Sequence, residues 1–66
     1  MEEDMERLVK QKEVLRRCGI SAATLYRLIK KGKFPESVNI SERAVAWANS
    51  EIEQWIEERM RERYDK

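Results

Sequence analysis

The sequence predicts a small α+β domain, mostly helical, in which two short helices, a β-hairpin and a C-terminal helix follow one another. Three observations support this prediction. Apolar residues recur at helical spacing on both sides of Gly19, the spacing changes to strict alternation over residues 37–47, and helical spacing returns after Asn49. The chain of 66 residues is long enough for one such domain, which we place at residues 7–64, after an acidic segment 1–6 that is expected to fray.

The first helix is preceded by a short apolar pair, Leu8 and Val9, which is expected to form the stub of a strand. From residue 11 onward the apolar residues fall on one helical face: Val14, Leu15 and Cys18. The helix is predicted to end at Gly19, because glycine adopts the left-handed conformation that terminates a helix without steric cost.

The second helix has clear start and stop signals. Ser21 is a favourable N-cap residue, Gly32 closes the helix, and Pro35 prevents it from resuming. Its inward face is apolar: Leu25, Leu28 and Ile29. Its opposite face carries a different set: Ala23, Tyr26, Arg27 and Lys30.

The hairpin and the third helix complete the predicted core. Four alternating apolar residues are expected to cover it from the hairpin, whose polar tip is 41–43: Val38, Ile40, Val45 and Trp47. Asn49 or Ser50 can cap the third helix. The inner stripe of that helix is predicted from its helical spacing: Ile52, Trp55, Ile56 and Met60.

The charge is distributed very unevenly along the chain. The net charge is +1, but residues 7–35 carry nine Lys and Arg against Glu13 alone, a net charge of +8. Residues 1–6 carry −4 and residues 36–66 carry −3. A strongly basic block within a nearly neutral chain indicates a polyanionic partner, and a basic but merely solvated helical face is the alternative.

The composition excludes several classes of function. The chain has no His and one Cys, so we expect no disulfide, no zinc site, no nucleophile–base pair and therefore no enzyme activity or cofactor. No apolar run reaches the length of a membrane span, and the acidic N-terminus is unlike a signal peptide. A cytoplasmic protein with no membrane partner and no small-molecule substrate is expected, with Cys18 as a small buried side chain in a reducing compartment.

The two helices around Gly19 match the spacing of a helix-turn-helix motif. The motif places apolar residues at fixed offsets from the turn glycine, and all four are present: Val14, Ile20, Leu25 and Leu28. One position departs from the motif, since Leu15 stands where a small residue is usual. Because the second helix is also basic, we predict that segment 21–31 is a recognition helix that enters the major groove of double-stranded DNA, and that hairpin 37–47 is a wing beside the duplex.

Individual residues of this motif suit different contacts. Arg27 can read guanine in bidentate fashion, contact a phosphate or remain a free surface side chain. Tyr26 can donate to a phosphate, stack at the edge of the groove or pack on the wing. Ala22 and Ala23 allow close approach and offer methyl groups to thymine, although their high helix propensity explains them equally well. The remaining cations are expected on phosphates: Lys30 and Lys31 at the end of the helix, Lys33 after it, and Arg43 at the wing tip.

The run from Lys12 to Ile56 also resembles a known family. Its segments KEV, GIS, TLYR, GKFP, RAVAW and SEI are similar to those of AlpA-type phage and prophage regulators, which share a MerR-like winged-helix architecture with small excisionases. This resemblance, over residues 7–59, implies a DNA-binding regulator of prophage or mobile-element genes. It places Ser21, Thr24, Tyr26 and Arg27 in the recognition helix and Arg43 in the wing. Ala22 and Ala23 depart from the family pattern, which has Arg and Ser there.

Two alternatives remain open at this point. The same physical features suit an excisionase-like recombination directionality factor, and the loss of the family Arg also suits a protein-interaction module that no longer binds DNA. A module of this size contacts few base pairs, so strong specificity would require self-association or cooperative binding on repeated sites.

Overall fold

A computed structural model of the chain describes residues 7–64 and has the predicted winged helix-turn-helix architecture. Six elements follow in order: β1 (Leu8–Lys10), α1 (Gln11–Cys18), α2 (Ala22–Lys30), β2 (Val38–Ser41), β3 (Ala44–Ala48) and α3 (Asn49–Tyr64). The fraying that we expected for segment 1–6 concerns residues that lie outside the described part of the chain. The predicted strand stub at Leu8 and Val9 is confirmed as β1.

The turn between α1 and α2 forms as the local sequence predicts. Gly19 has φ 68°, in the left-handed region, and its N–H donates to the Leu15 carbonyl at 2.8 Å. Ser21 then caps α2, because its Oγ accepts from the N–H of Thr24 at 3.2 Å. At the other end of α2, Gly32 has φ 71° and lets Lys33 N–H reach back to the Leu28 carbonyl at 2.9 Å.

The three strands form one antiparallel sheet with β3 in the centre, in the order β1-β3-β2. Val9 pairs with Trp47, and both are buried, so this row faces the core. Asn39 pairs with Val45, which lies on the same face as Trp47. After a register shift between Asn39 and Ser41, Ser41 pairs with Ala44, so the hairpin turn consists of Glu42 and Arg43.

This register corrects one of our predictions about the hairpin. Val38 and Ile40 were expected to cover the core, but they are 43% and 46% exposed. Partners in an antiparallel pair share a face, and Asn39 shares the core face with Val45, so its neighbours point the other way. Only Trp47, which is buried, and Val45, which is half-buried, contribute to the core as expected.

The core is small, and every element except β2 supplies one buried side chain to it, as does the loop after α2. Six buried residues form it: Val9, Val14, Leu25, Phe34, Trp47 and Ile52. Leu15 and Cys18 pack half-buried against it. Burial raises the pKa of the Cys18 thiol, although the nearby Arg17 charge acts in the opposite direction, so the thiol stays neutral at physiological pH.

Only the first half of the long helix α3 packs against the core. Ile52 is fully buried, and Trp55 and Ile56 are half-buried against the core, as predicted. The prediction for Met60 is wrong, since it is 50% exposed, and each residue from 57 to 63 is exposed. Asn49 and Ser50, the two predicted N-cap candidates, are the first two residues of α3.

Candidate nucleic-acid interface

The four apolar positions of the helix-turn-helix motif hold α2 against the core. Val14 and Leu25 are completely buried, at 0% exposure. Ile20 and Leu28 pack half-buried against the same cluster. Because these contacts hold the inner face of α2 against the body of the domain, the opposite face is fixed in orientation and points outward.

The outward face of α2 brings together most of the predicted contact residues. Its exposed members are Ala23, Tyr26, Arg27 and Lys30. Tyr26 is among them although its ring is large and largely apolar, and it is 56% exposed. Ala22 is half-buried at the start of the helix, while Lys31 and Lys33 are exposed just beyond its end. Arg43 lies apart from this group, exposed at the tip of the hairpin.

Ser21 and Thr24 are already engaged within the protein. The Ser21 hydroxyl accepts from the backbone of Thr24 and also donates to the Thr24 hydroxyl oxygen at 3.2 Å. The Ser21 hydroxyl has thereby used its one proton, whereas the Thr24 hydroxyl only accepts and keeps its own proton to donate. Ser21 therefore forms the N-terminus of α2, and Thr24 remains able to donate a hydrogen bond.

Nearly all cations of the basic segment 7–35 are exposed and have no ion-pair partner within residues 7–64. Eight of its nine cations are exposed: Arg7, Lys10, Lys12, Arg16, Arg27, Lys30, Lys31 and Lys33. Within residues 7–64, the only one of the nine that forms an ion pair is Arg17, which is half-buried. Within the described part of the chain, no carboxylate is paired with these eight cations, and a surface of this kind attracts a polyanion.

Arg17 has a structural contact that the sequence did not indicate. Its Nη1 donates to Asn49 Oδ1 at 2.7 Å, and its Nη2 lies 4.0 Å from Glu53 Oε2. Asn49 also donates through Nδ2 to Glu53 at 3.2 Å, and its backbone N–H donates to the Arg7 carbonyl at 2.8 Å. This cluster links α1, the residue that precedes β1 and the start of α3.

Replacing Arg17 with Ala is expected to lower the free energy of unfolding by roughly 1–3 kcal/mol, the usual cost of losing a hydrogen bond from a charged group. Urea denaturation followed by circular dichroism measures this loss. Arg16→Ala is the matched control, because Arg16 is exposed on the same helix and its loss should change stability by less than about 0.5 kcal/mol. Equal losses in the two variants would contradict the assignment.

Both tryptophans hold the loop that follows α2. Trp55 Nε1 donates to the Lys33 carbonyl at 3.0 Å, and Trp47 Nε1 donates to the Pro35 carbonyl at 2.9 Å. Phe34 lies between them, with its ring centroid 6.4 Å from Trp47 and 4.9 Å from Trp55. Phe34 is buried in the core although it was not among the predicted core residues, and its position between Gly32 and Pro35 is the only local signal for it. The loop is thereby fixed relative to both the wing and α3.

The fold defines the class: a winged helix-turn-helix protein, here with a second helix that exposes Arg27 and Lys30, neither of which is in an ion pair within residues 7–64. Within that class, the chain belongs to the family described as prophage CP4-57 regulatory protein (AlpA), whose model matches residues 7–60. The resemblance predicted from the residue motifs is thus confirmed. The family is one of phage-associated regulatory proteins.

A second comparison points to the same phage context. The chain is 43% identical over 51 residues to the uncharacterised protein ORF88 of Enterobacteria phage P4, and this alignment covers 77% of the chain and 58% of ORF88. The chain therefore spans little more than half the length of this curated relative. No solved structure matches the present chain significantly. Over residues 7–64, no helix combines the length and the apolar character needed to cross a bilayer.

Proposed function

We propose that the domain is a sequence-specific DNA-binding regulator of prophage or mobile-element transcription, with α2 in the major groove of the duplex. The observation that carries this proposal is the outward face of α2, where exposed Arg27 and Lys30 stand beside small residues on a helix anchored from behind by Leu25. A recognition helix requires this combination of rigid support and an accessible, cationic outer face.

The front of α2 is shaped for close approach to base edges. Ala22 and Ala23 occupy its first turn, and neither side chain extends beyond a methyl group. The N-terminal part of a recognition helix lies deepest in the groove, where bulky residues would hold the helix away from the bases. Arg27, one turn further along and exposed, is the side chain with the reach and the donors to bind guanine in bidentate fashion.

The phosphate contacts are assigned to cations around α2. Lys30 and Lys31 end the helix, and Lys33 follows on the loop whose backbone is held by Trp55. Arg43 extends from the wing tip, where no other cation is near it in sequence. Because such contacts carry no sequence information, they set affinity and position while Arg27 sets preference.

Salt dependence of duplex binding tests this proposal. The protein is titrated onto a fluorescent duplex taken from DNA flanking its own gene and onto a scrambled duplex, at several salt concentrations. Four phosphate contacts are expected to give a slope of log K against log salt of about −3.6. The flanking duplex is expected to bind more tightly than the scrambled one. Absence of binding to either duplex at low salt would overturn the proposal and favour the protein-interaction alternative, which a pull-down then tests.

The small size of the domain limits the sequence specificity that one copy can achieve. A single module of this size contacts few base pairs, so selective binding requires copies placed side by side on repeated sites. In the titration, such cooperative binding appears as a Hill coefficient above 1 on DNA with two sites and of 1 on DNA with one site.

A further inference from the structure

A hydrogen bond connects the exposed faces of the two helices of the motif. The Tyr26 hydroxyl donates to Gln11 Oε1 at 2.8 Å, joining α2 to the first residue of α1. Tyr26 is 56% exposed and Gln11 is half-buried, so the bond lies at the surface. It contributes little to the core, and its position beside Arg27 places it at the edge of the face assigned to DNA.

This bond changes which group can donate to a phosphate. The hydroxyl of Tyr26 has one proton, and it is directed to Gln11, so the exposed part of that oxygen offers only lone pairs. Gln11 has used its carbonyl oxygen and retains both N–H groups of Nε2, for which residues 7–64 supply no hydrogen-bond partner. The donor at this edge is therefore the amide of Gln11 and not the phenol.

The surroundings of Gln11 favour an anion. Lys10 and Lys12 flank it in sequence and are both exposed, and neither is paired with a carboxylate within the described residues. On α2, the exposed guanidinium of Arg27 follows Tyr26 directly. A DNA strand that borders the groove occupied by α2 would pass over positive charge at this edge.

We propose that Gln11 contacts DNA, donating Nε2–H to a phosphate, and that Tyr26 is a positioning residue that holds the Gln11 amide in the required orientation. Glutamine side chains commonly serve as phosphate donors in protein–DNA complexes. The proposal rests on the proposed DNA-binding function and adds a contact on α1. It also changes the role of Tyr26, for which donation to a phosphate was one of the predicted alternatives.

Three variants test the assignment on a duplex of arbitrary sequence, because a phosphate contact does not depend on sequence. Gln11→Met keeps the length and neutrality of the side chain and removes its donors, and it is expected to raise Kd about 5-fold on cognate and arbitrary duplexes alike. Tyr26→Phe is expected to raise Kd about 2-fold, since the amide remains but is no longer held. In the double variant the second change is expected to add nothing.

Two further readouts separate this role from a structural one. The melting temperature of each variant is expected to stay within about 3 °C of wild type, because both side chains lie at the surface. The salt slope of Gln11→Met is expected to match wild type, since a neutral amide releases no counterion, whereas Lys30→Ala lowers the slope by about 1.

The possible failures are distinguishable. If wild type binds duplex and Gln11→Met binds equally well, the Gln11 contact is wrong while the DNA-binding function stands. Additive effects of Gln11→Met and Tyr26→Phe would show that Tyr26 acts independently, which overturns its positioning role. If wild type binds no duplex at all, the proposed function and this inference both fall.

Discussion

Replacing Trp47 with Ala is expected to lower the free energy of unfolding by about 3–5 kcal/mol, the largest effect of any single truncation in this chain. Trp47 is the largest fully buried side chain, at 1% exposure. Its loss removes the edge-to-face contact with Phe34 and leaves the Pro35 carbonyl without its donor. A domain of this length is stable by roughly 3–10 kcal/mol, so a large fraction of the variant should be unfolded at 25 °C.

Urea denaturation followed by far-UV circular dichroism measures this effect, and two controls bracket it. Trp55→Ala is expected to cost less than Trp47→Ala, because Trp55 is half-buried. Met60→Ala is expected to change stability by less than about 0.5 kcal/mol, since Met60 is 50% exposed. A loss for Trp47→Ala no greater than that for Met60→Ala would contradict the position of Trp47 at the centre of the core.

The helix-turn-helix could be predicted because its signals are local. Gly19 adopts the left-handed conformation that its residue type favours, and Ser21 makes the capping bond that its position suggests. The apolar offsets at Val14 and Leu25 are also local, since each is a fixed number of residues from the turn. Agreement between turn, cap and periodicity made the order of elements and the inner face of α2 predictable.

The face of β2 could not be predicted in the same way. Alternation over Val38 and Ile40 identifies a strand, but it does not decide which of its two faces meets the core. That choice depends on the pairing with β3, where the register shift near Ser41 sets Asn39 opposite Val45. Met60 was mispredicted for a related reason: the periodicity of α3 continues after the elements that could cover it have ended.

The sequence could indicate which residues lie on the candidate interface, but not which hydrogen bonds they form with other parts of the chain. Charge and helical spacing identified Arg27, Lys30 and the cations near them. The bonds from Tyr26 to Gln11 and from Arg17 to Asn49 join residues 15 and 32 positions apart, and no local pattern indicates such pairs. Both bonds exist only because α1 is packed against its neighbours. The bond to Asn49 also separates Arg17, which has a structural role, from the exposed cations of segment 7–35.

Arg27→Ala is expected to weaken binding to DNA flanking the gene by about 1–3 kcal/mol, or 5- to 150-fold in Kd, and to reduce the preference for that DNA over a scrambled duplex. The reason is that Arg27 is the exposed residue of α2 with donors that can distinguish guanine, and it has no ion-pair partner within residues 7–64 to hold it away from the groove. Fluorescence anisotropy on both duplexes, at matched salt, measures the two effects separately.

Lys30→Ala is the matched control, since Lys30 is exposed one turn from Arg27, on the same face and with the same charge. It is expected to weaken both duplexes by the same factor and to reduce the salt slope by about 1, because it contacts phosphate without reading sequence. If Arg27→Ala instead behaved as Lys30→Ala does, Arg27 would be a phosphate contact, and sequence preference would have to come from the methyl groups of Ala22 and Ala23 or from the shape of the DNA. If preference collapsed only in Arg27→Ala, the reading of bases would be assigned to one side chain on a helix whose other cations supply affinity.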